Sequence, residues 1–367
     1  MSKLFKSSNI GSMALANHFV RSATMEGMAS PGGAVTLKLI ETMAALAEGG
    51  VGLIITGHAY VRTDGQANPG QIGIYSDDLL DGLRKLTSSV HEKGGKIVVQ
   101  LSHAGRYATE ELIGQPPLVV SDFEGLAQSP RRQLTIQDIG EIVSAFADAS
   151  RRARLAGFDG VQIHGAHGYL LSQFLSPAFN RRQDAYGGDA VNRARIHLEV
   201  YRAVRETVGK GYPVLIKMNS RDFVENGLEL ADFLRGVGPL VHEGIDAVEM
   251  SGGMQTSGKL SPSRPGISTE DKEAYFREEA LAFKKQYDVP VILVGGIRSF
   301  TVAEGLIEEG TADYISMSRP FIREPGLVNR WKSGDRSRAT CISDNRCFLA
   351  AREGGIYCVV DKKEKTA

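Results

Sequence analysis

The chain has 367 residues, long enough for one large α/β barrel or for two ordinary domains. Its 43 Lys and Arg residues balance 43 Asp and Glu, which excludes the basic footprint of a nucleic-acid binder or of a protein drawn to anionic membranes. A small-molecule partner is the expectation that remains.

The opening stretch, MSKLFKSSNIGSMALANHF, lacks the continuous apolar core of a signal peptide, and no later apolar run is long enough to span a bilayer. A soluble, cytoplasmic protein is expected. From there short β-branched, apolar runs alternate with helix-like segments. FVRSA (19–23) precedes a helix over 36–50, GLIITG (52–57) a helix over 78–95, and KIVVQL (96–101) a helix over 136–157. GVQIH (160–164) is followed by a helix over 191–209, PVLIKM (213–218) by one over 228–244, and DAVEMS (246–251) by a long irregular stretch. PVILVG (290–295), a helix over 301–310 and ADYISMS (312–318) complete the series. Most of the strand-like runs are apolar throughout, as parallel strands covered by helices are. Several helices end in glycine just before the next strand, the usual C-cap of an α-to-β connection. Eight strands alternating with helices predict a single (β/α)8 TIM barrel over 1–340 with a short extension over 341–367. The alternative, a doubly wound dinucleotide domain, lacks its GxGxxG.

Barrel chemistry sits at the C-terminal ends of the strands. That rule selects Ser22 to Met25, Gly57 to Tyr60, Gln100 to Arg106, His164 to Tyr169, Lys217, Ser251 to Gly253, Gly295 with Gly296, and Ser318 with Arg319. Gln100 can donate and accept, and Lys217 closes an apolar run where a cation needs an anionic partner, so something polar and electron-rich is expected between them. The Gly295-Gly296 pair after strand seven and Ser318-Arg319-Pro320 after strand eight occupy the usual phosphate site of this fold. The glycine pair alone reads as a tight turn; both features together imply a phosphorylated cofactor. His164 and His167 three apart admit three readings: metal ligands, ligand-binding donors or core. Barrel metal sites often begin with HxH on strand one, and here that strand ends RSAT, which leaves too few assured ligands.

HGAHGYLLSQFLSPAFNRRQDAYGGDAVNRAR (164–195), with QLSHAGR (100–106), VGGI (294–297) and SRPF (318–321), resembles the old yellow enzyme family of FMN-dependent ene-reductases, in order from NHFVRSAT (17–24) onward. The resemblance implies FMN across the barrel mouth, NADH or NADPH as transient reductant, and an activated alkene such as an enone, enal or nitroalkene as substrate. It implies that His164 and His167 hydrogen-bond the substrate oxygen and that Tyr169 supplies the proton. His164 would also border the cofactor. Lys217 would face the N1/O2 edge of the flavin and Gln100 its pyrimidine edge. Ser22, Ala23, Thr24, Met25 and Gly57 would line it, and Gly295, Gly296, Ser318 and Arg319 would hold the phosphate. His103 and Arg106 shape the loop after strand three or reach the flavin, and Asp189 is placed to cap the helix over 191–209. Substrate choice would lie in loops such as 104–135 and 252–275, and self-association is possible in this family.

Three departures stand out. Met25, which cannot donate a hydrogen bond, occupies the position of a flavin-tuning threonine or cysteine, with Thr24 beside it; Lys217 replaces an arginine; Ser318 replaces a glycine. CISDNRCFLAAREGGIYC (341–358) resembles the cysteine cluster that holds a [4Fe–4S] centre in the dienoyl-CoA reductase and trimethylamine dehydrogenase branch, with Cys341, Cys347 and Cys358 but Asp344 in place of a fourth cysteine. With no dinucleotide domain after Ala367, a vestigial cluster is expected, a three-cysteine metal site being the alternative. For the whole chain the competing function is a flavin- or metal-binding barrel with another activity, such as a metal-dependent hydrolase or a non-catalytic binder.

Overall fold

A computed structural model describes residues 2–123, 130–351 and 353–366. Eight parallel strands close into a barrel: β1 (Phe19–Arg21), β2 (Leu53–Tyr60), β3 (Ile97–Ser102), β4 (Gly160–Gly165), β5 (Val214–Asn219), β6 (Ala247–Ser251), β7 (Val291–Val294) and β8 (Tyr314–Met317), with β8 pairing back to β1. All eight expected strands are present, so the (β/α)8 fold stands. Strand β2 runs past its expected end to Tyr60, through an irregularity between Ile55 and His58, and so carries His58 into the barrel mouth.

Helices α1 (Leu37–Glu48), α2 (Leu80–Glu92), α3 (Ile136–Leu155), α4 (Ala190–Val208), α5 (Leu230–His242) and α7 (Phe300–Glu308) follow the sequence pattern, and α6 (Arg277–Lys284) is an additional helix between β6 and β7. Their starts are chemically fixed. The Thr36 hydroxyl accepts from the Leu39 N–H, Thr135 and Asp138 form a reciprocal capping box, and Asp189 accepts from the N–H groups of Val191 and Asn192, as expected of that residue.

The outward strand face, including Ile54, Val99, Ile163, Ile216 and Leu293, packs on Met43, Leu83, Ile142, Val200 and Val237 of the helices. The inward face is divided into two layers. Near the strand starts Val20, Leu53, Ile55, Val98, Leu215, Ala247, Ile292 and Tyr314 pack with Ile10, Met13 and Leu15 of the antiparallel hairpin Ser8–Ile10 with Met13–Leu15. That hairpin plugs the N-terminal end of the barrel. Two residues on, the strand period of two brings Ser22, Gln100, Lys217, Glu249 and Ser316 inward. The apolar layer supplies the packing, and the polar layer above it opens to the other mouth.

Candidate functional site

The polar layer is one connected network. Lys217 and Glu249 are 2% and 0% exposed and their Nζ and Oε1 are 3.1 Å apart. Lys217 also donates to Ser22 Oγ at 2.8 Å, and Ser22 and Ser316 donate to Glu249 Oε1 at 2.7 and 2.8 Å. Gln162 Nε2 donates to Glu249 Oε2 at 2.8 Å, and Gln100 Nε2 donates to Gln162 Oε1 at 2.7 Å. Burial pushes the Glu249 carboxyl up, but Lys217 and the three donors hold it below the usual carboxylate range. The anionic partner expected for Lys217 is thus Glu249, a residue the sequence pattern did not single out.

Above this floor stand the strand-four residues. His164 is the penultimate residue of β4, and the chain then turns through His167 at a φ of 64°, a left-handed conformation uncommon outside glycine. The turn is held by Asn219 Oδ1, which accepts from the His167 N–H at 3.0 Å, while His167 Nε2 lies 2.8 Å from Ser251 Oγ. Tyr169 packs against His164 with ring centroids 4.8 Å apart, and His167 meets His164 edge-on at 5.4 Å. His58 completes the group, 4.9 Å from the Tyr169 ring. Burial, then His167, His58 and Lys217, hold His164 well below the ordinary histidine range; burial, then Lys217 and His58, do the same for His167. Burial, followed by the nearby Tyr107, raises Tyr169. At neutral pH the wall therefore presents neutral imidazoles and a protonated phenol.

Ser22, Ala23, Thr24, Met25, Gln100, His164, His167, Tyr169, Lys217, Gly296, Ser318 and Arg319 all border one cleft of about 920 Å³, counted out to open solvent. Gly57 and Gly295 do not line it. A Cβ on Gly57 would collide with the Glu26 carboxylate, which accepts from the Gly57 N–H at 2.8 Å, and Gly295 accepts from the Tyr275 N–H at 3.2 Å. Both glycines serve close backbone packing beside the cleft. Thr24 Oγ1 bonds Ser318 Oγ at 2.7 Å, which ties the substituted Ser318 to the residue beside Met25. His103 Nε2 lies 3.3 Å from Asp64, and Arg106 stacks 3.9 Å over Phe179, so both shape the loop rather than reach the cleft.

Strand-end reasoning did not single out several other lining residues: Tyr275, Arg298, Pro262 and Ser263 from after strands six and seven, and Ser343 and Phe348 from the C-terminal extension. Arg319 Nη1 donates to Arg264 O at 2.9 Å and to Asn345 Oδ1 at 2.8 Å, which fastens that extension beside the expected phosphate position. Of the expected selectivity loops, 252–275 contributes Pro262, Ser263 and Tyr275, whereas residues 124–129 of the other lie outside the described residues.

The donor set fits FMN. A buried His164 Nδ1 has no protein partner, Gln100 keeps its amide oxygen after donating to Gln162, and a fixed ammonium, a left-handed Gly296 (φ 74°) and Arg319 border the same space. A four-thiolate cluster fits less well. Cys341, Cys347 and Cys358 are free thiols around a small cavity with Asp344 and Arg319, and burial pushes Cys347 up to about 12. Among the described residues no three His, Cys, Asp or Glu side chains converge as metal ligands, and no helix is long and apolar enough to cross a membrane.

Comparison with known proteins places this geometry in a family. The sequence profile of the NADH:flavin oxidoreductase / NADH oxidase family matches residues 3–337. Over 365 residues the chain is 36% identical to a metal reductase of Desulforamulus reducens, covering 98% of this chain and 54% of that protein. It is 38% identical over 281 residues to an NADPH dehydrogenase of a Geobacillus species, covering 76% of this chain and 78% of the relative. A solved 2-naphthoyl-CoA reductase in complex with 2-naphthoyl-CoA superposes with a TM-score of 0.89 at 26% identity, over 98% of this chain and 56% of that one. The chain thus spans about half the length of the first relative and of this solved neighbour. With barrel, cleft and profile in agreement, the chain belongs to the NADH:flavin oxidoreductase / NADH oxidase family, whose cofactor is FMN and whose reductant is NADH or NADPH.

Proposed function

We propose that the chain reduces the C=C bond of small activated alkenes, such as enones, enals and nitroalkenes, with NADH or NADPH as electron source. The observation that carries this reading is the convergence of two neutral imidazoles and one protonated phenol, His164, His167 and Tyr169, on one buried cleft above Lys217 and Gln100. FMN, when bound, supplies the hydride that reaches the substrate's β-carbon. Gln100 and Lys217 would hold its pyrimidine edge, and the Gly296 backbone with Ser318 and Arg319 its phosphate.

The remaining chemistry belongs to the side chains. His164 and His167 each give one N–H to the carbonyl or nitro oxygen and stabilise the negative charge that develops there, in a site where exclusion of water strengthens each bond. Tyr169 gives its phenolic proton to the α-carbon, and its raised pKa keeps that proton in place until the carbon becomes basic. A soluble, cytoplasmic enzyme able to self-associate is consistent with this reading. The test separates the half-reactions. Tyr169→Phe slows alkene reduction about a hundredfold or more while flavin reduction by NADPH stays near the wild-type rate. Equal loss in both half-reactions would remove Tyr169 from the role of proton donor.

A further inference from the structure

Among the described residues one polar side chain lies within hydrogen-bond reach of the Tyr169 oxygen, and the assigned chemistry leaves it without a task. His58 Nε2 lies 3.4 Å from the Tyr169 oxygen, at the point where β2 enters the cleft. On its far side His58 Nδ1 is 2.7 Å from Gln71 Nε2. The Gln71 amide is oriented by two further bonds: its Oε1 accepts from the Ala67 N–H at 2.6 Å, and its Nε2 donates to the His58 carbonyl at 3.0 Å. Reversing the amide would set an oxygen against a carbonyl oxygen and an NH2 against an N–H. Gln71 therefore presents hydrogen to Nδ1, which must accept. Burial pushes His58 down to about 4, so near neutral pH the ring carries one proton, and that proton is on Nε2.

We propose that His58 is a positioning residue for the proton donor: locked by Gln71 as the Nε2–H tautomer, it donates to the Tyr169 oxygen and leaves the phenolic hydrogen to point at the substrate. The proposal rests on the reading of Tyr169 as proton donor. In the transfer the Tyr169 O–H bond breaks and a C–H bond forms at the α-carbon with the electron pair left there by hydride addition at the β-carbon. The phenolate keeps the O–H pair, and His58 keeps its own proton and stabilises that oxygen until solvent reprotonates it. A separation of 3.4 Å lies at the long end for a hydrogen bond and shortens as charge gathers on the oxygen. In the opposite tautomer, which the lock excludes, Nε2 would be an acceptor and would draw the phenolic hydrogen away from the substrate.

Gln71→Glu reverses the lock. One carboxylate oxygen still accepts from Ala67, while the other draws the proton to Nδ1. In the FMN-loaded enzyme, with 2-cyclohexen-1-one as oxidant, stopped-flow reoxidation is expected to slow about tenfold, with reduction by NADPH within about twofold of wild type. His58→Ala should slow reoxidation similarly, and Tyr169→Phe with Gln71→Glu should be no slower than Tyr169→Phe alone, because the effect runs through the phenol. A second readout is independent of turnover. In the nitrogen NMR spectrum of the 15N-histidine-labelled wild type, the signal lost in His58→Ala should be that of a neutral ring protonated at Nε2. A ring protonated at Nδ1, or wild-type reoxidation in both Gln71→Glu and His58→Ala beside a slow Tyr169→Phe, overturns the His58 proposal alone. Wild-type reoxidation in Tyr169→Phe overturns the proton-donor reading on which it rests.

Discussion

The floor of the cleft carries formal charge, and the wall above it carries none. On the floor Lys217 and Glu249 lie in contact, and Ser22, Ser316 and Gln162 fill the remaining hydrogen-bonding positions of the carboxylate. On the wall His58, His164 and His167 are stripped of charge by burial, and His164 retains an unpartnered Nδ1. The ion pair of the floor is satisfied within the protein, so its geometry is fixed before any ligand arrives, with the Gln100 amide oxygen left free at its edge. The wall leaves hydrogen-bonding capacity unspent, which a ligand oxygen can take up. A rigid support beneath neutral imidazoles, one with an unpartnered ring nitrogen, suits a reaction in which charge appears on the substrate only during turnover.

The largest break in this contrast comes from the floor. Lys217→Met removes the cation and leaves Glu249 buried among donors too weak to replace it, a change that costs about 3–5 kcal/mol when one member of a buried pair is lost. A loss of that size in unfolding free energy, read as a lowered denaturant midpoint at unchanged slope, is expected, together with loss of FMN on gel filtration. Lys217→Arg keeps the charge and should retain most of the stability. An unchanged midpoint for Lys217→Met would show that the ion pair does not organise the floor.

The wall is tested by acid. Above pH 6.5 a histidine such as His58 is neutral in both the folded and the unfolded chain. As pH falls from about 6.5 toward 4 the unfolded chain takes up a proton that the folded one refuses, so stability is lost across that window. For His58 alone the full loss is on the order of 3 kcal/mol, and His164 and His167 act in the same direction. Carboxylates with lowered values, among them Asp64, Asp138 and Glu249, contribute at the acid end of the range, because their stabilisation is present above about 3.8 for aspartate and 4.5 for glutamate and is lost below. Melting temperature measured from pH 7.5 to 4.5 should therefore fall, and His58→Gln should flatten the curve. A melting temperature constant down to pH 5 would contradict neutral burial.

The same contrast explains what could be read from the sequence. Strand order, the alternation with helices and the position of HGAHGYL at a strand end follow from period and length, and all eight strands are found. Helix α6 escaped because REEALAFK is short and follows a long irregular loop with no N-cap side chain. Glu249 and Gln162 escaped for another reason. In an apolar parallel strand the inward and outward positions look alike, so a lone carboxylate in DAVEMS cannot be assigned to the barrel interior until the register is known. His58 stood among the strand-end residues, but its partner Gln71 lies on a separate loop, and no spacing connects them. Ser343 and Phe348 reach the cleft through the fold of the C-terminal segment, which its cysteine pattern does not describe.

The smallest expected effect is the most direct probe of the wall. A phenol bound as its anion presents one oxygen to the imidazoles, as the developing enolate would. His164→Ala and His167→Ala should each weaken phenol binding to the FMN-loaded protein about tenfold, the worth of one hydrogen bond to a charged acceptor, by isothermal titration. Ser251→Ala should weaken it less, because Ser251 acts on His167 from 2.8 Å away rather than being required to meet the ligand. If both donors meet the same oxygen, as proposed, the two histidine effects should also depend on each other, their ring centroids being 5.4 Å apart. A double variant that loses only the sum of the single losses would place the two rings on different atoms of the ligand. Unchanged affinity in both single variants would leave the wall without a ligand oxygen to satisfy, and the contrast with the floor would then be one of packing alone.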